Sequence, residues 1–363
     1  MSDPQILLTY SRGKGIVAIA HGARYKAAHQ LLTSCGFRED ESGVHHLPNG
    51  EPDLARAHVA SLVRLAKFYR AEVTTGSRQF IGDIAEDIAA RLPGGWKARV
   101  EIYSNPHWQG DLVPWLWDSG ELARVVRHER VPCAAALTDT ASETTLLLIE
   151  HPDRQAGYLL GALSPDFFEE GHGDRHAPRG IAVPGSAAAA ARAITDHYLP
   201  AYRRAVHDRR LACVAESLDR IRARHDDRST GTAPERDDIG APVPEEATAR
   251  LPGRVWEEFR SVLRHAPPLL DRCRSSAPEG SPDNRVLAQL IDALVDVESL
   301  DGGASSGSPG PDAPLRSAIE TWLTHGETFL RRARAAAPPT RPDTPALAPP
   351  ARPHPPGRHT PRR

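Results

Sequence analysis

The stretch TTLLLIEHPDRQAGYLLGALSP, residues 144–165, carries the reading of the fold. Its two apolar runs, TTLLLIEHP (144–152) and GYLLGALSP (157–165), flank a polar DRQA with turn composition. Short apolar runs bounded by turn residues read as strands rather than amphipathic helices. The spacing predicts a β-hairpin. Reading outward, CAAALTDT (133–140) precedes it and RGIAVP (179–184) follows, so four strand-like runs sit close together in the chain.

Further toward the N-terminus the pattern alternates. GIVAIA (15–20), GVHHLP (43–48, stopped by Pro48) and ARVEIYS (98–104) read as strands. RYKAAHQLLTSCGF (24–37) reads as a helix ending at Gly36, where a left-handed cap suits glycine. Leu54, His58, Leu62, Leu65 and Tyr69 fall on one helical face. Ile81, Ile84, Ile88 and Leu92 do the same, with Asp83, Glu86, Asp87 and Arg91 off that face. SAAAAARAITDHYL (186–199) opens a helix with Ser186 as N-cap, and Pro200 is expected to kink or split it. The fold class is therefore an α+β or α/β N-terminal region with a mixed sheet over 1–225, divisible at about 104. A linker (226–250), a small helical module (251–333) and a disordered Pro/Arg-rich tail (334–363) are expected to follow.

Composition excludes several functions. No run of about 18 apolar residues is present, so no membrane span is expected. Of 45 basic residues only four are lysines, Lys14, Lys26, Lys67 and Lys97, so no lysine-dependent chemistry is available beyond residue 97. The Arg, Ala, Pro and Gly bias resembles that of proteins from high-GC actinomycetes. That resemblance is one of composition only and implies neither a fold nor an activity. Cys35, Cys133, Cys213 and Cys273 are scattered, without a C-x-x-C, and point to thiols in a reducing cytoplasmic compartment. Residues 331–363 hold eight Arg and one Asp, while the whole chain is −2, so the preceding body is acidic, which argues against a nucleic-acid-binding core and leaves the tail to touch nucleic-acid phosphates.

Motif by motif, little chemistry is assembled. Gly13–Ala18 matches G-x-G-x-x-A, but IVAIA is strand-like where a dinucleotide site needs a helix, so a glycine turn between strands is the reading. Gly303–Gly307 matches G-x-S-x-G inside a Gly/Ser-rich loop without the strand and helix a nucleophile elbow needs. Glu101 follows Lys97, the wrong order for a nuclease acid and lysine. The best metal candidate is FEEGHGDRH, where His172, Asp174 and His176 lie near Glu169 and Glu170 and could take a divalent metal. In the strand holding His45 and His46 the two rings must face opposite ways, one buried and hydrogen-bonded, the other wet. In SNPHWQGDLVPWLWDSGE (104–121), Asp118 and Glu121 read as a capping box. Trp117 and Leu122 then form its hydrophobic staple, and Trp115 shares a face with Trp117. Trp108, with His107, is the candidate ligand contact.

These readings lead to a cytoplasmic, non-enzymatic binding or accessory protein with a protein partner, no resident cofactor and no membrane. Two alternatives accompany it. One is a metal-assisted hydrolase using His172, Asp174 and His176 with Glu150 or His151. The other is a nucleic-acid-associated protein acting through its 331–363 tail.

Overall fold

A computed structural model describes residues 3–47, 50–142, 144–152, 157–168, 171–229, 253–276, 282–301 and 312–339. The hairpin forms as read: β9 (Thr145–Glu150) pairs antiparallel with β10 (Tyr158–Leu163), placing Leu148 opposite Leu160. With β6 (Trp96–Ile102), β8 (Cys133–Asp139) and β11 (Ile181–Val183) they make an antiparallel sheet in the order β11-β10-β9-β8-β6. The two-residue β7 (Leu116–Trp117) adds to β10. Alternate residues face opposite ways. Ala135, Leu137, Leu146, Leu148 and Leu160 enter one core, and Ala134, Leu147, Ile149 and Leu159 enter another.

A second, mixed sheet has the order β3-β4-β2-β1-β5, built from β1 (Gln5–Ser11), β2 (Gly15–His21), β3 (Arg38–Glu39), β4 (His45–Leu47) and β5 (Glu72–Gln79). Only the β1–β5 pairing is parallel. Gly13 and Gly15 make the tight β1–β2 turn, with Gly15 at φ +78°, which disposes of the dinucleotide motif. One face of this sheet packs on α1 (Tyr25–Ser34) and α2 (Pro52–Phe68) through Ile6, Leu8, Ala18, Leu32 and Leu62. The other sends Val17 and Ile19 toward α3 (Ile81–Ala89), whose Ile81, Ile84 and Ile88 are buried as their spacing predicts.

Several local readings change. The buried face of α2 carries Leu62 and Ala66, whereas Leu54 and Tyr69 are more than half exposed. Asp83 is buried, because its carboxylate accepts from Ser11 Oγ (2.8 Å) and Arg12 N (2.7 Å) and anchors the β1–β2 turn on α3. Helix α5 (Glu121–His128), which follows the short α4 (Pro106–Gly110), starts from Gly120 rather than Asp118. Asp118 still caps it from inside the fold, accepting from Ala123 N at 2.8 Å and from Gly180 N. A 3-10 turn at Val113–Trp115 separates Trp115, exposed, from Trp117, fully buried, so they share no face. Trp117 and Leu122 enter different apolar clusters, so the staple is not made.

After α6 (Ala187–Ala193) the chain widens into a π turn, Ile194–Tyr198, and α7 (Leu199–Ser229) runs straight on through Pro200. A π turn relieves the missing hydrogen bond and ring clash of a helical proline without breaking the helix. The first part of α7 (Leu199, Tyr202, Ala205) packs with the sheets. Its later part (Leu211, Val214, Leu218, Ile221) packs with α8 (Gly253–Ser275), α9 (Pro282–Asp301) and α10 (Asp312–Ala335) around Phe259, Trp322 and Phe329. The architecture is an α+β region followed by helices. Helix α7 occupies the first residues assigned to the linker, and α10 the first two assigned to the tail. Residues 230–252, 302–311 and 340–363, with the G-x-S-x-G match and most of the basic tail, lie outside the described residues. Among the described residues no helix is long and apolar enough to cross a membrane, and all four cysteines are free.

Candidate functional site: an arginine-lined cleft

Residues 209, 213, 216 and 220 of α7 repeat at helical spacing and therefore share one face. That face, Arg209, Cys213, Glu216 and Arg220, forms one wall of a cleft of about 610 Å³. The opposite wall is α8, through Glu257, Glu258, Arg260, Arg264 and His265. Phe167 and Phe168, in the loop after β10, form its end. The volume falls within the range of small-molecule sites.

The aromatic end is held by cations. Arg210 stacks over Phe167 at 4.2 Å and Arg209 over Phe168 at 5.8 Å from the ring centroids. His265 lies against Phe168, with 5.8 Å between centroids, and is 5 % exposed. Its Nδ1 is buried without a hydrogen-bond partner. Burial, reinforced by Arg210, Arg264 and Arg209, pushes its pKa down to about 4, so the ring is neutral at physiological pH. Two prolines, Pro267 and Pro268, follow within the same helix. They donate nothing to the carbonyls of Leu263 and Arg264 one turn back, yet the helix continues through them to Ser275.

The carboxylates near the cleft are spent. Glu258 takes Arg220 at 2.6 Å, Glu257 takes Arg260 at 3.1 Å, and Glu216 takes Arg175 at 3.5 Å. Asp174, just outside, lies 3.0 Å from Arg209 Nε. Among the described residues no carboxylate lies within ion-pair distance of Arg210 or Arg264, and Arg210 Nε is buried without a partner. Within the cleft the Arg264 guanidinium lies near the neutral His265 imidazole, while Arg210, outside the lining, backs the Phe167 ring. A guanidinium fork matches carboxylate or phosphate oxygens.

The His172, Asp174 and His176 loop turns out to brace this cleft. Asp174 accepts from the Trp117 indole (2.9 Å) and from His176 N (2.8 Å) while holding Arg209. The His172 ring bonds Arg127 at 3.1 Å, and the His176 ring takes Arg175 at 3.2 Å. Each of the three has its own protein partner. His151 sits 3.7 Å from Glu121 instead. Among the described residues the group of three whose ligand atoms converge, all within 4.8 Å, is His29, Glu39 and His45. Trp108 lies on α4, 43 % exposed and 5.3 Å from the Tyr25 ring. Exposed His107 donates its backbone N–H to Asn105, and neither residue lines the cleft.

No family model, curated protein or solved structure matches this chain. Function must therefore be argued from these side chains. The sequence does contain the periodic signal at 209–220, but among 41 arginines it does not stand out. The partners that make it a site come from α8 and from a loop over 40 residues upstream.

Proposed function

We propose that the protein is a binding protein for a small organic anion, one bearing a phosphate or carboxylate on a planar or apolar body. The observation that carries this reading is Arg264, a cleft-lining cation with no carboxylate in ion-pair distance among the described residues, beside buried His265 and Phe167. An anion on the Arg264 guanidinium would supply the carboxylate or phosphate partner it lacks, and its body would rest on the phenylalanines. The cleft contains no nucleophile poised by a base: the Cys213 thiol is pushed up by burial, away from the reactive thiolate. Binding rather than covalent chemistry fits this set.

Phenyl phosphate, benzoate and phenol titrated calorimetrically test the reading. The two anions should bind saturably and phenol should not. Arg264→Ala, at an exposed position, should weaken phenyl phosphate roughly ten-fold or more by removing a charge-assisted contact. Absence of binding by both anions, or binding untouched by Arg264→Ala, rejects the proposal.

A further inference from the structure

The strand pair β3–β4 places Glu39 directly opposite His45 in its antiparallel register. Directly opposed residues project from the same face with their Cβ atoms about 5 Å apart. Helix α1 packs beside this strand pair and delivers His29 to the same point, with the His29 and His45 rings edge-on at 4.5 Å. The turn joining the strands is tied together by Asp40. Asp40 accepts from Ser42 N (2.9 Å) and Val44 N (3.2 Å), and its other oxygen takes Lys14 at 2.5 Å. Asp40 is thereby occupied, and among the described residues Glu39 is the carboxylate whose ligand atom converges with those of the two histidines.

His45 is the informative residue. It is 1 % exposed, and neither ring nitrogen has a hydrogen-bond partner. Leaving a buried imidazole nitrogen unsatisfied is unfavourable, and a metal ion bound there would give it a partner. Two ligands of one tetrahedral zinc, each about 2.0–2.1 Å from the ion, stand roughly 3.3–3.4 Å apart. His29 Nε2 and Glu39 Oε2 are 3.4 Å apart. Both of these side chains are partly exposed, so they have room to close the last ångström on His45.

We propose that His29, Glu39 and His45 bind one divalent transition-metal ion, zinc by preference, with the fourth position open to solvent. Two imidazoles and a carboxylate are a borderline ligand set suited to zinc rather than to magnesium or calcium, which want oxygen ligands. Three protein ligands leave an exchangeable position, unlike the four of a closed structural site. A plain His29–Glu39 ion pair would explain two of these residues but not the buried, unpartnered third. This site shares no residue with the arginine-lined cleft, so each can fail without the other.

The test is metal binding by the full chain after chelation and dialysis, with zinc ion counted by elemental analysis and cobalt(II) followed by its visible spectrum. One equivalent of zinc and a tetrahedral cobalt spectrum are expected. His29→Ala and Glu39→Gln, both at partly exposed positions, should each weaken binding at least ~10-fold with the fold retained by circular dichroism. His172→Ala should change nothing. No stoichiometric metal, or stoichiometric metal unaffected by His29→Ala and Glu39→Gln, overturns the proposal.

Discussion

At the scale of single residues, two positions carry more than their size suggests. Asp118 is buried, and its carboxylate is the acceptor for Ala123 N and Gly180 N, tying the start of α5 to the segment that precedes β11. Asp118→Ala leaves two N–H groups without an acceptor and should cost about 2–4 kcal/mol in urea unfolding. Gly157 opens β10 at φ +91°, and a Cβ there would lie 2.2 Å from the Val183 carbonyl. Gly157→Ala should therefore destabilise by ~3 kcal/mol, whereas Gly13→Ala, where a Cβ meets nothing within 4 Å, should be nearly neutral. Equal unfolding midpoints for these two alanine variants would contradict the close approach of β11. Asp118 was legible as a capping residue. Its reach to Gly180 was not, because that partner lies 62 positions away.

At the scale of elements, α2 shows where periodicity stops being informative. Its apolar residues occupy two overlapping faces, and spacing alone favoured the one containing Leu54, His58, Leu62, Leu65 and Tyr69, of which only Leu62 is fully buried. The core takes Leu62 and Ala66, because the first sheet and α1 lie on that side. Leu62→Ala should cost about 2–5 kcal/mol, and Leu65→Ala, 38 % exposed, less than about 1 kcal/mol. Thermal unfolding of the two variants decides which face is inside. Strands behave similarly. The runs at 15–20, 98–104, 133–140, 144–152, 157–165 and 179–184 all became strands, those at 15–20, 133–140, 144–152 and 157–165 being largely buried. EVTTGSRQ, which became β5, has one large apolar residue, Val73. It is a strand because β1 offers it a parallel edge, and propensity follows such pairing rather than directing it. At Pro200 the expected break became a π turn, since packing on both sides of α7 holds the helix together.

At the scale of the whole molecule, burial of histidine sets the acid response. His21 and His265 are both pushed down to about 4, each chiefly by burial, His21 also by Arg130 and His265 also by neighbouring arginines. Unfolded, both rings titrate near 6.5. Between these values the unfolded chain binds protons that the folded chain refuses, so stability falls as pH drops from about 6.5 to about 4 and is insensitive to these groups above that window. The loss is on the order of 3 kcal/mol per ring at most. His265→Gln should remove about one proton from the slope of unfolding free energy against pH; an unchanged slope would mean that His265 is not buried neutral. The sequence by itself determined the local alternation of strand and helix, the glycine turn at 13–15, the apolar buried face of α3, the order of sheet region then helices, and the scarcity of lysine, with none beyond Lys97. All of these follow from hydrophobic periodicity and backbone preference, which act over a few residues. Only the tertiary structure decided where chemistry gathers. It spent Asp174 and His176 on bracing contacts, brought Arg210 and Arg264 to the same histidine, and set Glu39 across a strand pair from His45 with His29 above. Such convergence depends on which elements pack together, and that is fixed by the shape of the buried cores rather than by spacing along the chain.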